Sequence, residues 1–484
     1  MHDLVIASGA LVASSTVLAG SDLLARRTPI DQELGRKIGH ALSWLALAAS
    51  LYLVESWEWL MVVGSASALG FVGIIETRAL PGLLKGRRMR DYGLVASALT
   101  FGLVPWLFWP DRSVIAAGFV VLALGDSAAA VVGSRWGRRA VEAWGCRRSV
   151  EGSLALAMVA FPVALWASAS ASGALGPREL LIATVVTTVA ASVELLSPSA
   201  VDNPALTIAV AATLSFGAGA GFDTALLWAS GAAGGWLLAW ISVRLGWLDR
   251  PAAVAAALLT LLVVVLGGWA WFLPLIVFFA SGSVLTKLGR SDPEAREPRR
   301  LGQVLVNGFV PVLPLALGAA SGAAAPFATA AYVGALAAAA GDTWASEIGR
   351  RSPGPPVSLR LRRRVASGTS GAVSWLGSAA ACAGGALIGV AGWIAFAQPW
   401  LAALGALAGL AGSTVDSVLG AWVQGEFRCG ACGESVETLE HCGAGTDHLR
   451  GVSWVRNDAV NAFANLGGMI FGAALAAGIE QLWS

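Results

Sequence analysis

Charged residues are scarce in this sequence, and their scarcity excludes an ordinary soluble protein. Only 13% of the 484 residues are Asp, Glu, Lys or Arg, whereas about 25% is typical of soluble domains. The five cysteines are too few for a disulfide framework. The net charge of +2 is small, and we expect no nucleic-acid partner.

Two short motifs that identify well-known enzyme classes are also missing. The chain has no GxxxxGK[ST] stretch, so any nucleotide has to be held without a P-loop. It has no DGxxAR stretch either, which argues against a CDP-alcohol phosphotransferase. The glycine-rich stretch 217–221 lacks the strand and helix that a nucleotide loop needs, and we assign it no function.

Long apolar runs occupy most of the chain instead. Hydrophobic residues make up 56% of the sequence, and runs of about 17–22 residues recur about 16 times, each long enough to cross a bilayer. The sequence therefore predicts an all-α polytopic membrane protein with about 16 transmembrane helices. Residues 4–19 lack a positively charged leader, so we expect a retained first helix rather than a signal peptide.

Basic residues concentrate in loops that we expect to lie on one side of the membrane. Arg and Lys cluster in the ranges 26–37, 78–90, 135–148, 244–250, 287–300 and 350–364. The positive-inside rule assigns all six ranges to the cytoplasm and both chain termini to the outside. We therefore expect a multi-pass protein of the cell membrane.

A Gly-Asp motif at the end of an apolar run occurs twice. Asp126 is followed by a serine and Asp342 by a threonine, and the two aspartates are 216 positions apart. The same offset matches Arg148 with Arg364, and Gly152-Ser153 with Gly368-Thr369. Charged residues within membrane spans are rare and usually mark a functional site. The repeated spacing therefore predicts two functional sites.

Further motifs repeat upstream and downstream in the same order. RKIGH at 36–40 resembles RRLGQ at 299–303, and Glu194 with Asp202-Asn203 corresponds to Asp416 with Asn457-Asp458. An ordered set of repeated elements indicates an internal duplication, and we divide the chain into residues 1–248 and 249–484. His40 has Gln303 as its partner, which cannot titrate, so we expect no obligatory proton shuttle there.

The repeated residue types suit the chemistry of phosphates. Carboxylates at one depth can bind Mg²⁺, which prefers oxygen ligands and keeps phosphates in its coordination shell. Arginines before a helix start offer bidentate hydrogen bonds, and the helix start itself offers N–H groups and a positive dipole end. These parts together are typical of phosphoryl transfer.

Three cysteines lie close together in the loop at residues 425–456, which we expect to be cytoplasmic. Cys429 and Cys432 have CxxC spacing, and Cys442 follows His441 directly. Zinc prefers four sulfur or nitrogen ligands in a tetrahedron. The loop therefore predicts a structural zinc site with three cysteines and either His441 or His448 as the fourth ligand. We assign it no catalytic role.

These motifs resemble two families of membrane kinases. RKIGH, GDSAAAVVGSRWG, RRSVEGS and VELLSPSAVDNPALT make residues 30–215 similar to the dolichol kinase and phytol kinase family. GSVLTKLGR, RRLGQVLVNG, AGDTWASEIG, RRVASGTSGAVSWLG, STVDSVLGAWVQ and RNDAVNAFANLG make nearly all of residues 250–484 similar to the phytyl-phosphate kinase family. Where the first family usually has a lysine before the Gly-Ser pair, this chain has Arg147-Arg148.

The resemblance implies two consecutive reactions. The first half would phosphorylate a membrane-dissolved prenyl alcohol such as phytol or geranylgeraniol, and the second half would convert the prenyl phosphate to the diphosphate. CTP or another nucleoside triphosphate would be the donor and Mg²⁺ the metal. An oligomer is compatible with the sequence.

Motifs and resemblance together assign the site residues. As catalytic we assign Asp126, Glu194, Asp342 and Asp416. Nucleotide and phosphate binding is assigned to Arg36, Lys37, Arg147, Arg148, Gly152, Ser153, Arg299, Arg300, Gln303, Asn307, Arg363, Arg364, Gly368 and Thr369. Magnesium is assigned to Asp126, Glu194, Asp202 and Asn203 in the first half, and to Asp342, Glu347, Asp416, Asn457 and Asp458 in the second.

Two other classes remain open. A transporter built from repeats also contains buried carboxylates and glycine-broken helices, but its motifs lie near the membrane midplane rather than at one face. A lipid-phosphate cytidylyltransferase is closer in chemistry, and its release of pyrophosphate would distinguish it.

Overall fold

The structure is a computed structural model that describes residues 2–27, 32–77, 88–288, 298–321 and 325–483. The chain forms two compact units, residues 1–236 and 237–484.

The first unit is a bundle of helices with one β-hairpin. In chain order its elements are α1 (His2–Arg27), α2 (Gln32–Ser50), α3 (Glu58–Thr77), α4 (Arg88–Phe108), α5 (Arg112–Val120), the π-helix π1 (Val121–Asp126), α6 (Ser127–Trp136), β1 (Ala140–Ala143), β2 (Cys146–Ser149), α7 (Val150–Ser172), α8 (Pro177–Leu196) and α9 (Asp202–Ala218). Helix α10 (Phe222–Arg244) crosses the boundary between the units. Helices suit such apolar segments because they satisfy the backbone hydrogen bonds within the segment.

The core of the first unit forms around α5 and π1. Ile115, Phe119 and Leu122 are at most 1% exposed, and they belong to one hydrophobic cluster that includes residues of α2, α7, α8 and α9. This segment therefore runs through the middle of the unit. The last residue of π1 is Asp126, which lies at the polar end of the bundle.

A π-helix is the local feature that sets the direction of Asp126. Residues Val121–Asp126 form π1 between α5 and α6, and the three elements make one continuous span over Arg112–Trp136. A π turn holds one residue more than an α turn and is frequent at functional sites. It rotates the side chains that follow relative to those of α5. The sequence motif does not reveal this feature.

The basic loop after α6 forms a β-hairpin rather than an irregular connection. Strands β1 and β2 pair antiparallel, with Val141 opposite Arg148. The two turn residues, Trp144 and Gly145, have φ of 54° and 71°, the left-handed conformation that a two-residue hairpin turn needs. The hairpin therefore fixes Arg148 on a strand directly before α7.

The second unit contains eight α-helices besides the end of α10, one of them (α13) a single turn, and short strands, within its described residues. In chain order its elements are α11 (Arg250–Gly267), α12 (Trp269–Leu288), α13 (Leu301–Val304), the π-helix π2 (Leu305–Phe309), α14 (Val310–Ser321), α15 (Ala325–Gly349), β3 (Val357–Ser358), β4 (Ala372–Val373), α16 (Trp375–Phe396), α17 (Trp400–Trp422), β5 (Glu426–Cys429), β6 (Ser435–Val436), β7 (Glu440–His441), β8 (Ala444–Arg450) and α18 (Asn457–Trp483).

Glycines bring α15 and α17 into backbone contact. A methyl group on Gly341 would lie 2.3 Å from the carbonyl oxygen of Gly409, and one on Gly412 would lie 2.3 Å from the methyl group of Ala338. Membrane helices associate closely through such small residues because their backbones can touch. The contact places Asp342, next to Gly341, near Asp416 on α17.

Residues 425–456, which we call the cysteine module, form a small antiparallel sheet. Its strand order is β6-β5-β8-β7. The module connects the end of α17 to the start of α18. It is the largest departure from the all-α prediction within the described residues.

The membrane prediction is confirmed in its coarser form. Within the described ranges, 11 helices are long and apolar enough to cross a membrane. Two shorter apolar helical stretches lie at His2–Ala13 and Tyr92–Phe108. The predicted multi-pass helical protein is thus supported, whereas the count of about 16 spans is not confirmed.

Candidate functional site

Asp126 lies in a cluster of charged residues at the polar end of the first unit. Lys37 Nζ donates a hydrogen bond to Asp126 Oδ2 at 2.6 Å, and His40 Nε2 lies 3.7 Å from the same oxygen. Ser127 Oγ donates to the backbone carbonyl of Lys37 at 3.3 Å. The RKIGH motif and the GDS motif, far apart in the sequence, therefore meet in the fold.

An apolar groove reaches this cluster from the surface of the unit. It has a volume of about 350 Å³ and lies between α2 and α6, within the size range of small-molecule sites. Its lining is almost wholly apolar apart from two residues of the cluster, Lys37 and Ser127. The lining residues are Leu34, Lys37, Ile38, Ala41, Ser127, Ala128, Val131 and Val132.

Arg148 forms the second part of the site. Its Nη1 donates to Glu194 Oε1 at 2.8 Å and its Nη2 donates to Asp202 Oδ2 at 3.0 Å and to the Ser197 carbonyl at 3.2 Å. Burial opposes the charged form, but the attraction of Glu194 and Asp202 outweighs it and raises the pKa of Arg148 above its ordinary value. Arg148 also interacts electrostatically with Asp126, so both parts make one site.

The helix start beside Arg148 is built as the sequence predicts. Ser149 caps α7, its Oγ accepting a hydrogen bond from Gly152 N at 3.1 Å. Gly152 is required because a methyl group there would lie 2.7 Å from the carbonyl oxygen of Ala129 on α6. Ser153 Oγ donates to Glu194 Oε2. Both carboxylate oxygens of Glu194 are thus engaged, and Glu194 positions Arg148.

The other predicted residues of the first half differ in where the structure places them. Asn203 lies in the site, donating from Nδ2 to Ser97 Oγ at 2.6 Å. Arg147 points away, with its side chain 73% exposed and 3.8 Å from Glu142. Arg36 lies on α2, but its side chain is outside the described part of the structure. Ser97 was not predicted, because a single serine in an apolar helix gives no signal by itself. Ser149 lies in the quoted RRSVEGS motif, but its role as the cap of α7 was not predicted.

The second unit brings together the two carboxylates predicted to be catalytic. Asp342 on α15 and Asp416 on α17 lie within hydrogen-bonding distance of each other. Two carboxylates this close repel unless they share a proton or bind a cation. Glu437 of the cysteine module interacts electrostatically with Asp416. The pair is therefore the centre of the second site.

Arg299 packs beside the Gly-Asp-Thr motif that contains Asp342. A methyl group on Gly282 would lie 2.5 Å from Arg299 Nη2 and 3.2 Å from Thr343 Cγ2, so the guanidinium packs between α12 and the GDT motif. It also interacts electrostatically with Glu347, whose Oε1 accepts a hydrogen bond from Thr286 Oγ1 at 2.9 Å. Arg300, by contrast, is exposed.

The start of α18 packs against the RRLGQ motif. A methyl group on Gly302 would lie 2.5 Å from Asp458 Oδ2, so the RRLGQ and RND motifs are adjacent. Asn465 Nδ2 donates to Asn307 Oδ1 at 2.9 Å on π2. Asn465 was not predicted, although Asn457, Asn461 and Asn465 recur every four residues and so share one helix face. Gln303 caps its own helix, accepting from Arg300 N at 3.2 Å.

The expected helix start at Gly368-Thr369 is wrong. Both residues are exposed in the loop before β4, and α16 begins only at Trp375. Its cap is Ser374, whose Oγ accepts from Gly377 N at 3.1 Å. Ser374-x-x-Gly377-Ser378 thus corresponds to Ser149-x-x-Gly152-Ser153 of the first half. The loop before α16 is longer than the first-half hairpin, so one constant offset misaligns the two starts.

Arg363 and Arg364 are affected by the same misalignment. Both are exposed and lie in the loop between β3 and β4. Neither precedes a helix start directly, as Arg148 does. Their assignment to phosphate binding stays a prediction.

The cysteine module contains a cluster of four metal-binding side chains. The ligand atoms of Cys429, Cys432, His441 and Cys442 all lie within 4.8 Å of one another. Hydrogen bonds from the backbone of Cys432, from His441 and from the backbone of Ala431 lower the pKa of Cys429 to about 6, which favours the thiolate that binds metals. Proximity to Cys432 raises the pKa of Cys442 to about 11.

Comparison with known proteins identifies the family. Residues 233–469 match the family described as integral membrane protein DUF92. An uncharacterized membrane protein of Methanocaldococcus jannaschii is 30% identical over 178 residues, which cover 36% of this chain and 74% of that protein. The chain belongs to the DUF92 family of integral membrane proteins.

Further relatives extend the likeness. Protein PGR of Arabidopsis thaliana is 31% identical over 256 residues, covering 46% of this chain and 88% of that protein. The phytol kinase of Synechocystis sp. is 32% identical over 211 residues, covering 42% of this chain and 86% of that protein. No solved structure matches this DUF92 protein. The relatives support a phytol kinase-like membrane family.

Proposed function

We propose that the protein phosphorylates a prenyl alcohol in the first unit and the resulting prenyl phosphate in the second. The observation that carries the proposal is the Lys37–Asp126 pair at the end of an apolar groove, beside the Arg148 network. A prenyl alcohol has the matching shape, an apolar chain ending in one hydroxyl group. Similarity to a phytol kinase supports this substrate class.

The groove explains how such a substrate reaches the site. Ile38 is 45% exposed and lies on α2 at the groove, and an apolar chain dissolved in the bilayer can enter between α2 and α6 without crossing water. Its hydroxyl group would then lie near Lys37 and Ser127. The basic loops at this end of the helices favour a cytoplasmic site, where a water-soluble nucleotide is available.

The first step needs an attacking oxygen, a base and charge neutralisation. The alcohol oxygen forms a bond to the terminal phosphorus of the nucleotide, the bond from that phosphorus to its bridging oxygen breaks, and a nucleoside diphosphate leaves. Asp126 takes the proton of the hydroxyl group, and Lys37 neutralises charge on the transferred group. CTP is the donor that the family resemblance favours.

Arg148 and the start of α7 would hold the nucleotide phosphates. Arg148 presents a planar guanidinium that suits phosphate oxygens, while Glu194 and Asp202 fix its orientation. Magnesium supplies neutralisation of phosphate charge when bound. Asp126, Asp202 and Asn203 carry the oxygen donors for it, with Glu194 behind them.

We assign the second step to the second unit. A phosphate oxygen of the prenyl phosphate forms a bond to the terminal phosphorus of another nucleotide. The bond from that phosphorus to its bridging oxygen breaks, and the nucleoside diphosphate leaves. The close carboxylates of Asp342 and Asp416 suit a divalent cation, which would remove their repulsion. Arg299, half-buried beside the Gly-Asp-Thr motif, supplies positive charge.

Product analysis tests this function. Purified protein is incubated with Mg²⁺, a panel of prenols, and CTP labelled either at the γ-phosphate or in the cytosine ring, and the lipids are then separated. We expect γ-label in a monophosphate and a diphosphate, with no cytosine label in lipid. Cytosine label in lipid and release of pyrophosphate would instead establish a cytidylyltransferase. Absence of any labelled lipid would contradict both enzymatic functions.

A further inference from the structure

We infer that the cysteine module binds one zinc ion through Cys429, Cys432, Cys442 and Nδ1 of His441, and that this ion holds the module against the second site. The first part rests only on the ligand cluster. The second part rests in addition on the function proposed for the second unit. The experiments below keep the two parts separate.

The distances between ligand atoms fit a tetrahedral zinc site. His441 Nδ1 lies 3.5 Å from Cys432 Sγ and 3.3 Å from Cys442 Sγ. With Zn–S of about 2.3 Å and Zn–N of about 2.0–2.1 Å, a tetrahedron separates sulfur from nitrogen by roughly 3.5 Å. These two ligand pairs therefore already have the spacing of a tetrahedral zinc site, and all four ligand atoms lie within 4.8 Å of one another.

Two tight turns present these ligands. The first follows Cys429, where Gly433 N donates to the Cys429 carbonyl at 2.9 Å and Cys429 N donates to the Glu434 carbonyl at 2.9 Å. The second joins β7 to β8, and in it Cys442 has φ of 53°. A residue with a side chain rarely adopts this conformation. A metal ligand is a physical reason for a cysteine, rather than a glycine, at this turn.

The structure distinguishes between the two histidines. His448 lies on β8 opposite Phe427, and its ring packs on that phenylalanine with 5.4 Å between centroids. It does not belong to the ligand cluster. His441 Nδ1, in contrast, faces two of the three sulfurs. The fourth ligand is therefore His441.

The module is attached to the end of α17 by its backbone and by Arg450. Arg450 on β8 binds Glu426 on β5 and donates from Nη1 to the Ala421 carbonyl at 3.0 Å. Gly425 N donates to the Val455 carbonyl at 2.8 Å, and Val452 N to the Val423 carbonyl at 2.9 Å. The module thus joins the helix that carries Asp416 to the helix that carries Asp458.

One acidic residue of the module faces the second site directly. Glu437, between β6 and β7, interacts electrostatically with Asp416. Ser370 Oγ donates to Gln424 Oε1 at 3.1 Å. Glu437 lies between Cys432 and His441 in the chain, so an ion bound by both residues fixes its position.

Metal analysis tests the zinc site without any assay of activity. Untagged protein purified without chelator should contain about one zinc per chain. Cys432→Ser and His441→Ala should reduce the zinc content at least tenfold, whereas the matched controls Cys382→Ser and His448→Ala should retain it. Zinc-free wild-type protein that remains zinc-free after incubation with Zn²⁺ would overturn the site. Zinc loss from His448→Ala but not from His441→Ala would overturn the ligand assignment.

Limited proteolysis and a two-step assay test the positioning role. A zinc-selective chelator, used with Mg²⁺ in excess, should expose residues 425–456 to protease and reduce conversion of prenyl phosphate at least tenfold, and added Zn²⁺ should reverse both effects. Phosphorylation of the alcohol should not change. Full conversion by zinc-depleted protein would overturn the positioning role. Bound zinc in a protein without any kinase activity would contradict the proposed function and leave the zinc site established.

Discussion

Lys37 and Asp126, 89 positions apart in the chain, are joined by a hydrogen bond of 2.6 Å. The pair links α2 to the end of π1 at the groove between α2 and α6. Because one residue is cationic and the other anionic, the pair can neutralise a phosphoryl group and accept a proton at the same position.

Asp126→Asn should separate the two reactions. The amide keeps the size of the side chain but removes its charge, and loss of such a group commonly reduces the rate roughly a hundredfold or more. We expect alcohol phosphorylation to decrease by that factor, while added prenyl monophosphate is still converted. Asp223→Asn, an exposed change on α10, is the matched control. Loss of both steps in folded Asp126→Asn protein would indicate one shared site.

Asp342→Asn should have the opposite effect. It removes one of the two neighbouring carboxylates of the second unit, and monophosphate should accumulate from alcohol because its conversion slows roughly a hundredfold. Chromatography of labelled lipids measures both products. Normal diphosphate formation by this variant would contradict the assignment of the second site to the second step.

Chelation of divalent cations should stop both reactions. Carboxylate clusters in both units are proposed to hold Mg²⁺ with the nucleotide, so EDTA should abolish lipid phosphorylation and an excess of Mg²⁺ should restore it. Omission of Mg²⁺ without any chelator, which leaves bound zinc in place, separates the contribution of zinc. Undiminished activity in EDTA would exclude the magnesium role.

A bulky side chain in the groove should select against long substrates. Ala128→Trp or Val131→Trp fills the space between α2 and α6. We expect kcat/KM for a C20 prenol to decrease about tenfold or more, and that for a short prenol to change much less. Leu154→Trp, at a position on α7 that is 60% exposed, is the control. Equal decreases in kcat/KM for short and long prenols would indicate that the prenyl chain binds outside this groove.

Arg148 and Arg147 should differ in their contribution to stability. Arg148 binds two carboxylates in a partly buried network, and removing one partner of such a pair costs about 3–5 kcal/mol. Arg147 is exposed and lies 3.8 Å from exposed Glu142, so its loss should change stability by less than about 1 kcal/mol. Thermal unfolding in detergent should show a large decrease in Tm for Arg148→Met and little change for Arg147→Met.

The sequence predicts the membrane class, the repeat and the central residues of each site. Scarce charge and long apolar runs identify the spans, and the repeated Gly-Asp motif identifies Asp126 and Asp342 because charge in a span is rare. The sequence also identifies Asp416, Glu194 and Asp202, because the acidic motifs that contain them occur at the same place in the order of motifs in both halves. The structure brings each of these residues to one of two clusters.

The sequence does not predict the local geometry around those residues. Membrane helices are apolar on every side, so hydrophobic periodicity does not locate the start of α16 or the π turn before Asp126. The repeat also does not show which basic residue of each motif points into the site. In RKIGH it is the second, Lys37, which pairs with Asp126, whereas in RRLGQ it is the first, Arg299. Such choices depend on which neighbouring helix leaves space, as Gly282 does for Arg299.

The backbone contact between Gly341 and Gly409 has a consequence for ion preference. The backbones of α15 and α17 touch at these glycines, so the contact sets the distance between the Cα atoms that carry the two carboxylates. A single added methyl group would widen it. The second unit is therefore expected to select cations by size and to bind the smaller Mg²⁺ in preference to the larger Ca²⁺.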